Sequence, residues 1–242
     1  MEFEDDGIVL SARSHGETGA IVYVLTEHFG VYAAHVAGGA SRRVKPVLQA
    51  GSRVVIAYRA RHSEQLGAAS LEAAGGSPDL LDDPLGLLGL QCACIMTQKV
   101  LPEREPHPGA YHGLSALLGA FSIPDVWPAV YVRYEAGLLE ELGFGLDLTA
   151  CAVTGTYDQL VYVSPKSGRA VSRLAGAPYR DKLLPLPGFL LSSQGGLDDG
   201  DIVRGFELTG FFLESHVFHP GNKPLPEVRQ RLLQALRDSG DA

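Results

Sequence analysis

The first third of the chain consists of short β-type segments separated by turns, and this pattern limits the fold more than any other feature. Within residues 7–74, runs of Val, Ile, Leu, Thr and Tyr recur between glycine-rich breaks. Such β-branched and aromatic runs favour strands over helices. The pattern predicts strands at residues 7–13, 20–26, 30–36, 53–61 and 66–73. Short strands without long helices between them suit a small closed barrel such as the OB-fold, and an SH3-like barrel fits the same pattern.

One long stretch inside this region lacks carboxylates. The formal net charge of the chain is −8, yet no Asp or Glu occurs from His28 to Ser63. Alternation along the fourth strand places Arg53, Arg59 and Arg61 on one face and Tyr58 on the core face. The cations of the stretch, which we take as candidate DNA-binding residues, are Arg42, Arg43, Lys45, Arg53, Arg59 and Arg61.

Two interpretations of this cationic stretch remain open. Clustered Lys and Arg are what phosphate binding requires, and three of the cations fall in a loop that we expect to be flexible, within residues 38–45. A solvated face balanced by acids elsewhere explains such a run equally well. Of the aromatic residues in the stretch, Tyr32 is the candidate base-stacking platform, because Tyr58 should face the core.

The sequence changes character at residues 75–78, where Gly, Ser and Pro predict a hinge. We therefore predict two domains, residues 1–76 and residues 77–242, and an α+β fold in which a barrel precedes a mainly helical domain. Helices are predicted between Pro84 and Pro102 and over residues 107–121, 125–142, 201–216 and 225–236. An irregular insertion at residues 147–190 contains one short strand, over residues 159–163.

Signatures of enzymes and metal sites are missing from the sequence. It contains no phosphate-binding Walker loop, no nucleophile elbow and no His-Glu-x-x-His helix, so we predict a protein without catalytic residues or cofactors. The acids Asp198, Asp199 and Asp201 are interpreted as helix-start residues rather than metal ligands. Thr154 stands three residues after Cys151, where a zinc site would need a second thiolate, and we predict no metal site.

The cellular location is predicted from the lack of a signal peptide and of a membrane-spanning segment in the sequence. The chain starts with acidic rather than basic residues, so it does not resemble a secretory signal peptide. Its most apolar stretch, residues 85–98, is shorter than the about 20 residues that a membrane helix needs. We therefore expect a cytoplasmic protein with no membrane partner.

An ordered series of short motifs extends over nearly the whole chain. The N-terminal motifs are at residues 7–10, 16–22, 25–30, 38–43 and 48–51. The later ones are at residues 133–144, at Cys151, and at residues 164–168 and 221–225. In order and spacing these motifs resemble the bacterial RecO family of DNA-repair proteins. No single motif is diagnostic, but the ordered series is fairly specific.

The resemblance implies an OB-fold, a helical domain and, in many members, a zinc-binding insertion. It also implies binding of single- and double-stranded DNA, annealing of complementary strands, and partnership with RecR and with single-strand-binding protein in loading RecA. This chain departs from the zinc-bearing members at Thr154 and has no cysteine after Cys151, so its insertion is interpreted as a zinc-finger-like subdomain that has lost its ligands.

The receptor for the acidic, hydrophobic tail of single-strand-binding protein should pair an apolar groove with a cation. Arg133, in the family-like motif, is the first candidate, and Lys99 and Arg104 are the others. The alternative for Arg133 is an internal ion pair with a nearby acid. The alternative for the whole protein is an adaptor without DNA binding, whose barrel and basic loop dock an acidic partner protein.

Overall fold

The computed structural model of the chain describes residues 1–62, 65–192, 197 and 200–240. Its contacts divide the chain into two compact units, Met1–Trp127 and Pro128–Ala242. The domain boundary predicted at residue 76 follows sequence character rather than contacts and stays a prediction. None of the helices in the described part is long and apolar enough to cross a membrane.

The first unit contains a closed barrel of five strands, as predicted from the sequence. The strand order is β1-β2-β3-β5-β4, and β4 closes the barrel by pairing with β1. All pairings are antiparallel except that of β3 with β5. The strands are β1 (Glu2–His15), β2 (Gly19–Thr26), β3 (Gly30–Val36), β4 (Arg53–Arg59) and β5 (Gly67–Gly75).

Alternating apolar side chains fill the barrel. In β4, Val54, Ile56 and Tyr58 are buried, which confirms the predicted core face of this strand. In β1 the consecutive residues 8–10 are all buried, so this part of the strand is covered on both faces. A bulge between Val9 and Ser11 shifts the register with β2 at this point.

Two helices complete the first unit, α1 (Pro84–Val100) and α2 (Pro108–Ala120). The Asp83 carboxylate accepts a hydrogen bond from the Gly86 amide at 2.8 Å and caps α1, with Pro84 at the first helical position as the sequence predicted. The Ser11 hydroxyl donates to Oε1 of Gln98 at 2.7 Å and ties β1 to α1. The barrel and its helices therefore share polar as well as apolar contacts.

The second unit combines helices with a small sheet. Within the predicted irregular insertion, three strands pair in the order β7-β6-β8. The predicted strand at residues 159–163 is confirmed as β6, whereas β7 and β8 were missed because they are too short to show a pattern. The elements are α3 (Trp127–Glu141), β6 (Leu160–Val163), β7 (Ala170–Ser172), α4 (Arg173–Gly176), β8 (Leu184–Pro185), α5 (Asp201–Leu213) and α6 (Glu227–Gly240).

A buried ion pair joins three helices of the second unit. Arg229 of α6 donates to both carboxylate oxygens of Glu135 in α3, at 2.8 and 2.7 Å. The hydroxyl of Thr209 in α5 donates to the same carboxylate at 2.5 Å, and Arg229 also donates to the carbonyl of Phe206 at 2.7 Å. The side chains of Arg229 and Glu135 are only 4% and 0% exposed. Each charge therefore depends on the other, since neither is solvated by water.

Candidate nucleic-acid interface

The β3–β4 connection that carries the loop cations is a series of hydrogen-bonded turns. The amide of Lys45 donates to the carbonyl of Ser41, and that of Val47 to the carbonyl of Val44, each at 2.9 Å. Val44 and Val47 pack against the barrel core, and Leu48 belongs to it. The apolar residues of this segment therefore hold its polar residues in place.

Arg42, Arg43 and Lys45 all project from this segment into solvent. In the described part of the chain, none of the three forms an ion pair. We call Arg42, Arg43 and Lys45 the basic loop. Its cations are available to an anionic ligand because no carboxylate of the described residues binds them.

The cations of β4 are engaged in other interactions. Arg53 donates to the hydroxyl and the carbonyl of Ser115 in α2, at 2.6 and 2.8 Å. Arg59 forms an ion pair with Glu2 at 2.6 Å. Arg59 is therefore balanced by an acid from outside the acid-free stretch, which is the second of the two interpretations of that stretch. Arg61 lies in a bend just after β4 and is exposed.

Strand pairing brings the acids to β4, because β1 begins at Glu2 rather than at the predicted residue 7. Glu2, Glu4 and Asp6 of β1 lie opposite residues 59, 57 and 55 of β4, and Glu72 of β5 lies on the other side of residue 55. Side chains at directly opposite positions share one face of a sheet. Four carboxylates therefore lie along the outer face of β4, from Arg59 to residue 55, and all of them come from outside the acid-free stretch.

Three residues near the basic loop were missed by the sequence analysis. The Ala40 amide donates to the Thr18 carbonyl at 3.2 Å, which holds the segment against the β1–β2 hairpin. Arg13 and His15, both exposed, end β1 at this hairpin, and the rings of His15 and His35 lie 5.9 Å apart. Arg13 and His35 lie opposite the same residue of β2, so they share its outer face. The alternation of β1 and β3 around the hairpin glycines was the signal that could have found them.

Tyr32 is not available as a base-stacking platform. Its side chain is only 3% exposed and lies in the barrel core, where its ring centroid is 4.9 Å from those of both Phe3 and Tyr58. The sequence-based suggestion is therefore wrong. Tyr32 alternates into the barrel with its strand neighbours Ala34 and Val36, so its ring serves the core.

The candidate peptide-binding cations lie in different surroundings. Lys99 is exposed on α1, and Arg104 donates weakly to the carbonyl of Gln65 at 3.4 Å. Arg133 of α3 donates to the Phe189 carbonyl at 2.5 Å and to the Ser192 carbonyl at 3.1 Å. Its guanidinium thus binds backbone carbonyls of its own unit, and in the described residues it forms no ion pair with an acid.

Arg133 also borders an apolar pocket of about 310 Å³. The pocket is wholly within the second unit, and Glu140 contributes its one acid. Four leucines contribute to its wall, namely Leu146, Leu148, Leu190 and Leu191. A cation beside apolar side chains is the combination that an acidic, hydrophobic peptide requires.

The donor set around Cys151 does not fit zinc. Its thiol sulfur is buried and accepts a hydrogen bond from the Ser172 amide at 3.2 Å. Thr154 offers a hydroxyl where the zinc-bearing pattern has a thiolate, and among the described residues no three His, Cys, Asp or Glu side chains are grouped as metal ligands. Asp198 and Asp199, interpreted as helix-start residues, lie outside the described residues, while Asp201 is buried at the start of α5 and binds Arg204 at 2.8 Å.

Cys151 makes the stability of the second unit depend on pH. Burial opposes ionisation of its thiol, but hydrogen bonds from Ser172 and Thr154 outweigh burial and lower its pKa from 9.0 to about 6. A thiol whose pKa is lower in the folded state stabilises the fold most above the unfolded pKa, and this stabilisation is lost as the pH falls through the folded value. We expect the stability difference between the native protein and Cys151→Ala, measured by urea unfolding, to increase from about pH 6 to pH 9. A difference that is constant over this range contradicts the assignment.

Comparisons with known proteins cover the whole chain. The family model described as "Recombination protein O N terminal" matches residues 1–73, and "Recombination protein O C terminal" matches residues 81–225. A protein of Caulobacter sp. (strain K31) named "DNA repair protein RecO" is 61% identical over 241 residues, 99% of each chain. Proteins with the same name from Caulobacter vibrioides (strain NA1000 / CB15N) and Rhodospirillum centenum (strain ATCC 51521 / SW) are 62% identical over 240 residues and 49% identical over 245 residues. The former match covers 99% of each chain, and the latter 98% of this chain and 95% of the relative.

Proposed function

Because the chain belongs to the RecO family of DNA repair proteins, we propose that it binds single- and double-stranded DNA, anneals complementary strands, and helps to load a recombinase onto DNA covered by single-strand-binding protein. The observation that carries this proposal is the basic loop. Arg42, Arg43 and Lys45 are exposed side by side, and no carboxylate of the described residues binds them. Such a group attracts phosphates regardless of base sequence.

The phosphate path runs over the basic loop and the neighbouring β1–β2 hairpin. Arg13 adds a permanent charge there, and His15 and His35 add hydrogen-bond donors on the same side of the barrel. The path does not cross β4, because Glu2, Glu4, Asp6 and Glu72 repel phosphates from that face. Arg61, exposed after β4, remains a candidate contact, whereas Arg53 and Arg59 are excluded from the path by their partners.

Annealing on this surface requires no catalytic group. Two DNA strands repel each other through their phosphates, and a cationic surface that binds one strand lowers this repulsion for the second. Base pairing then supplies the free energy of the product. The proposed role therefore needs neither a bound metal nor a nucleophile, and we propose that the protein is not an enzyme.

A mobility-shift assay with labelled single-stranded and duplex oligonucleotides at low salt tests this function. We expect both DNAs to be shifted, and complementary strands to anneal faster with the protein than without it. The protein-only adaptor is the alternative, since its basic loop would dock an acidic protein instead. Absence of any shift at low salt favours the adaptor and contradicts our proposal.

We further propose that the pocket beside Arg133 binds the acidic tail of single-strand-binding protein, and that a RecR-like protein is another partner. Arg133→Ala is expected to abolish tail-peptide binding in isothermal calorimetry, because it removes the cation beside the leucines. Leu191→Asp, at an exposed position that lines the same pocket, should have a similar effect and leaves the hydrogen bonds of Arg133 in place. Lys99→Ala and Arg104→Ala serve as controls and should bind normally. Loss of binding in either control contradicts the assignment.

A further inference from the structure

An apolar groove of about 900 Å³ lies within the first unit. It lies between the segment after the basic loop, the linker that follows β5, and one face of α1. Leu81 lines it and is 91% exposed, and Leu87 is exposed beside it. Val47, Leu80 and Leu90 complete the apolar wall. Single exposed leucines are common, but apolar side chains grouped along a concave surface mark a binding site.

Contacts within the first unit hold the walls of this leucine groove in place. The Ser77 hydroxyl donates to the Ala50 carbonyl at 3.1 Å and attaches the linker to the segment after the basic loop. Gly51 has φ of +82° and lies so close to α1 that an added Cβ would meet the Leu90 side chain at 2.8 Å. The groove is therefore formed before any partner arrives, and little ordering cost is added on binding.

Charged residues of both signs lie in the groove wall or directly beside it in sequence. Lys45, the last cation of the basic loop, directly precedes Pro46 in the groove wall, while Asp79 lines the groove from the linker. Arg53 also lines it, but its guanidinium is bound by Ser115. No aromatic residue lines the groove, so it offers DNA bases no stacking surface. The surface is complementary to an apolar segment that carries an acid at one end and a base at the other.

We propose that the leucine groove docks such a segment of a partner protein, with its acidic end at the basic loop and its basic end at Asp79. The leucines supply affinity, and the two charged ends set the orientation. The carboxylate of Asp79 in the groove wall disfavours a tail with carboxylates at both ends. The inference does not depend on DNA binding.

Fluorescence anisotropy with synthetic peptides tests the proposal. The probe is a labelled peptide with Asp-Glu at one end, a Leu- and Phe-rich centre and Lys-Arg at the other end. The reference probe has the same centre and acids at both ends. We expect saturable binding of the first probe and weaker binding of the second. Asp79→Lys should reverse this preference, because it replaces the negative charge in the groove wall by a positive one.

Substitution of the groove provides the decisive comparison. Leu81→Asp should weaken binding of the first probe by about tenfold or more, since burying a leucine side chain is worth at least that factor. Leu174→Asp, at a position that is 85% exposed in the other unit, is the matched control and should bind normally. Both substitutions are at solvent-exposed positions, so the variants should fold, which circular dichroism checks.

Four results overturn the proposal. The first is the absence of saturable binding by the first probe, the peptide with an acidic and a basic end. The second is a loss of affinity for this probe in Leu174→Asp that equals the loss in Leu81→Asp. The third is a Leu81→Asp variant that loses affinity for oligonucleotides but keeps its affinity for the peptide, which would assign the groove to DNA. The fourth is a dimer in sedimentation that Leu81→Asp dissociates, which would assign the groove to a second copy of the chain.

Discussion

Replacement of Arg229 by alanine is expected to lower the free energy of unfolding of the second unit by about 3–5 kcal/mol, the usual cost of removing one partner of a buried ion pair. The variant leaves the carboxylate of Glu135, which is 0% exposed, without its counter-ion and without two charge-assisted hydrogen bonds. It also removes the packing of the guanidinium over the Phe206 ring, 5.5 Å from its centroid. Urea unfolding followed by circular dichroism, with hydrogen exchange of α3 and α5, measures the effect.

Arg237→Ala is the matched control for this prediction. Arg237 lies on the same helix and forms an ion pair with Glu207 at 2.6 Å, but both side chains are solvent-exposed. Exposed pairs contribute about 0–1 kcal/mol, because water screens the charges and solvates each partner well. If Arg237→Ala destabilises the protein as much as Arg229→Ala does, the assigned role of the buried pair is wrong.

The double substitution Arg42→Ala and Arg43→Ala is expected to weaken binding of all oligonucleotides similarly, whatever their sequence. The two side chains contact phosphates in our account, and each phosphate neutralised on a single strand contributes about 0.7 to the slope of log affinity against log salt. The variant should therefore lose about 1.4 from the magnitude of that slope. Because both side chains are exposed on a segment held by Val44 and Val47, its fold should be unchanged.

Arg59→Ala separates the two faces of the barrel. Arg59 is exposed like the loop arginines, but it is bound by Glu2, and further carboxylates of β1 and β5 lie along the same face of the sheet. Removal of Arg59 should leave DNA affinity nearly unchanged, or lower it slightly because the carboxylates of that face then repel phosphates more strongly. An Arg59→Ala variant that loses as much affinity as the double variant contradicts the path over the hairpin.

Local sequence patterns were sufficient to predict the barrel and the main helices. The alternation of Val54, Ile56 and Tyr58 gave the core face of β4, and the Asp83-Pro84 pair marked the start of α1. These features depend on neighbours along the chain, which a single sequence displays directly. The insertion was harder to predict, since β7 and β8 contain only three and two residues.

The electrostatics of the candidate site depended on contacts that are distant in sequence. The stretch from residue 28 to 63 lacks acids, but β1 supplies them through pairing, with Glu2 opposite Arg59. Asp5 of the same strand also binds the ring of His28 at 2.8 Å and raises its pKa through this hydrogen bond. A count of charges along a segment cannot include partners that arrive through tertiary structure. The basic loop lies outside the strand pairing, and its three cations form no ion pair within the described residues.

The dependence of DNA affinity on salt is the most direct test of which cations contact phosphates. A titration of the native protein with a single-stranded oligonucleotide over a range of salt concentrations gives the number of phosphates neutralised. Three loop cations, with or without Arg13, predict a slope of log affinity against log salt between about −2 and −3, at about 0.7 per phosphate, and Arg61 as a further contact would extend it to about −3.5. A slope near −4, which six contacts including those of β4 would give, or an affinity independent of salt, contradicts the account.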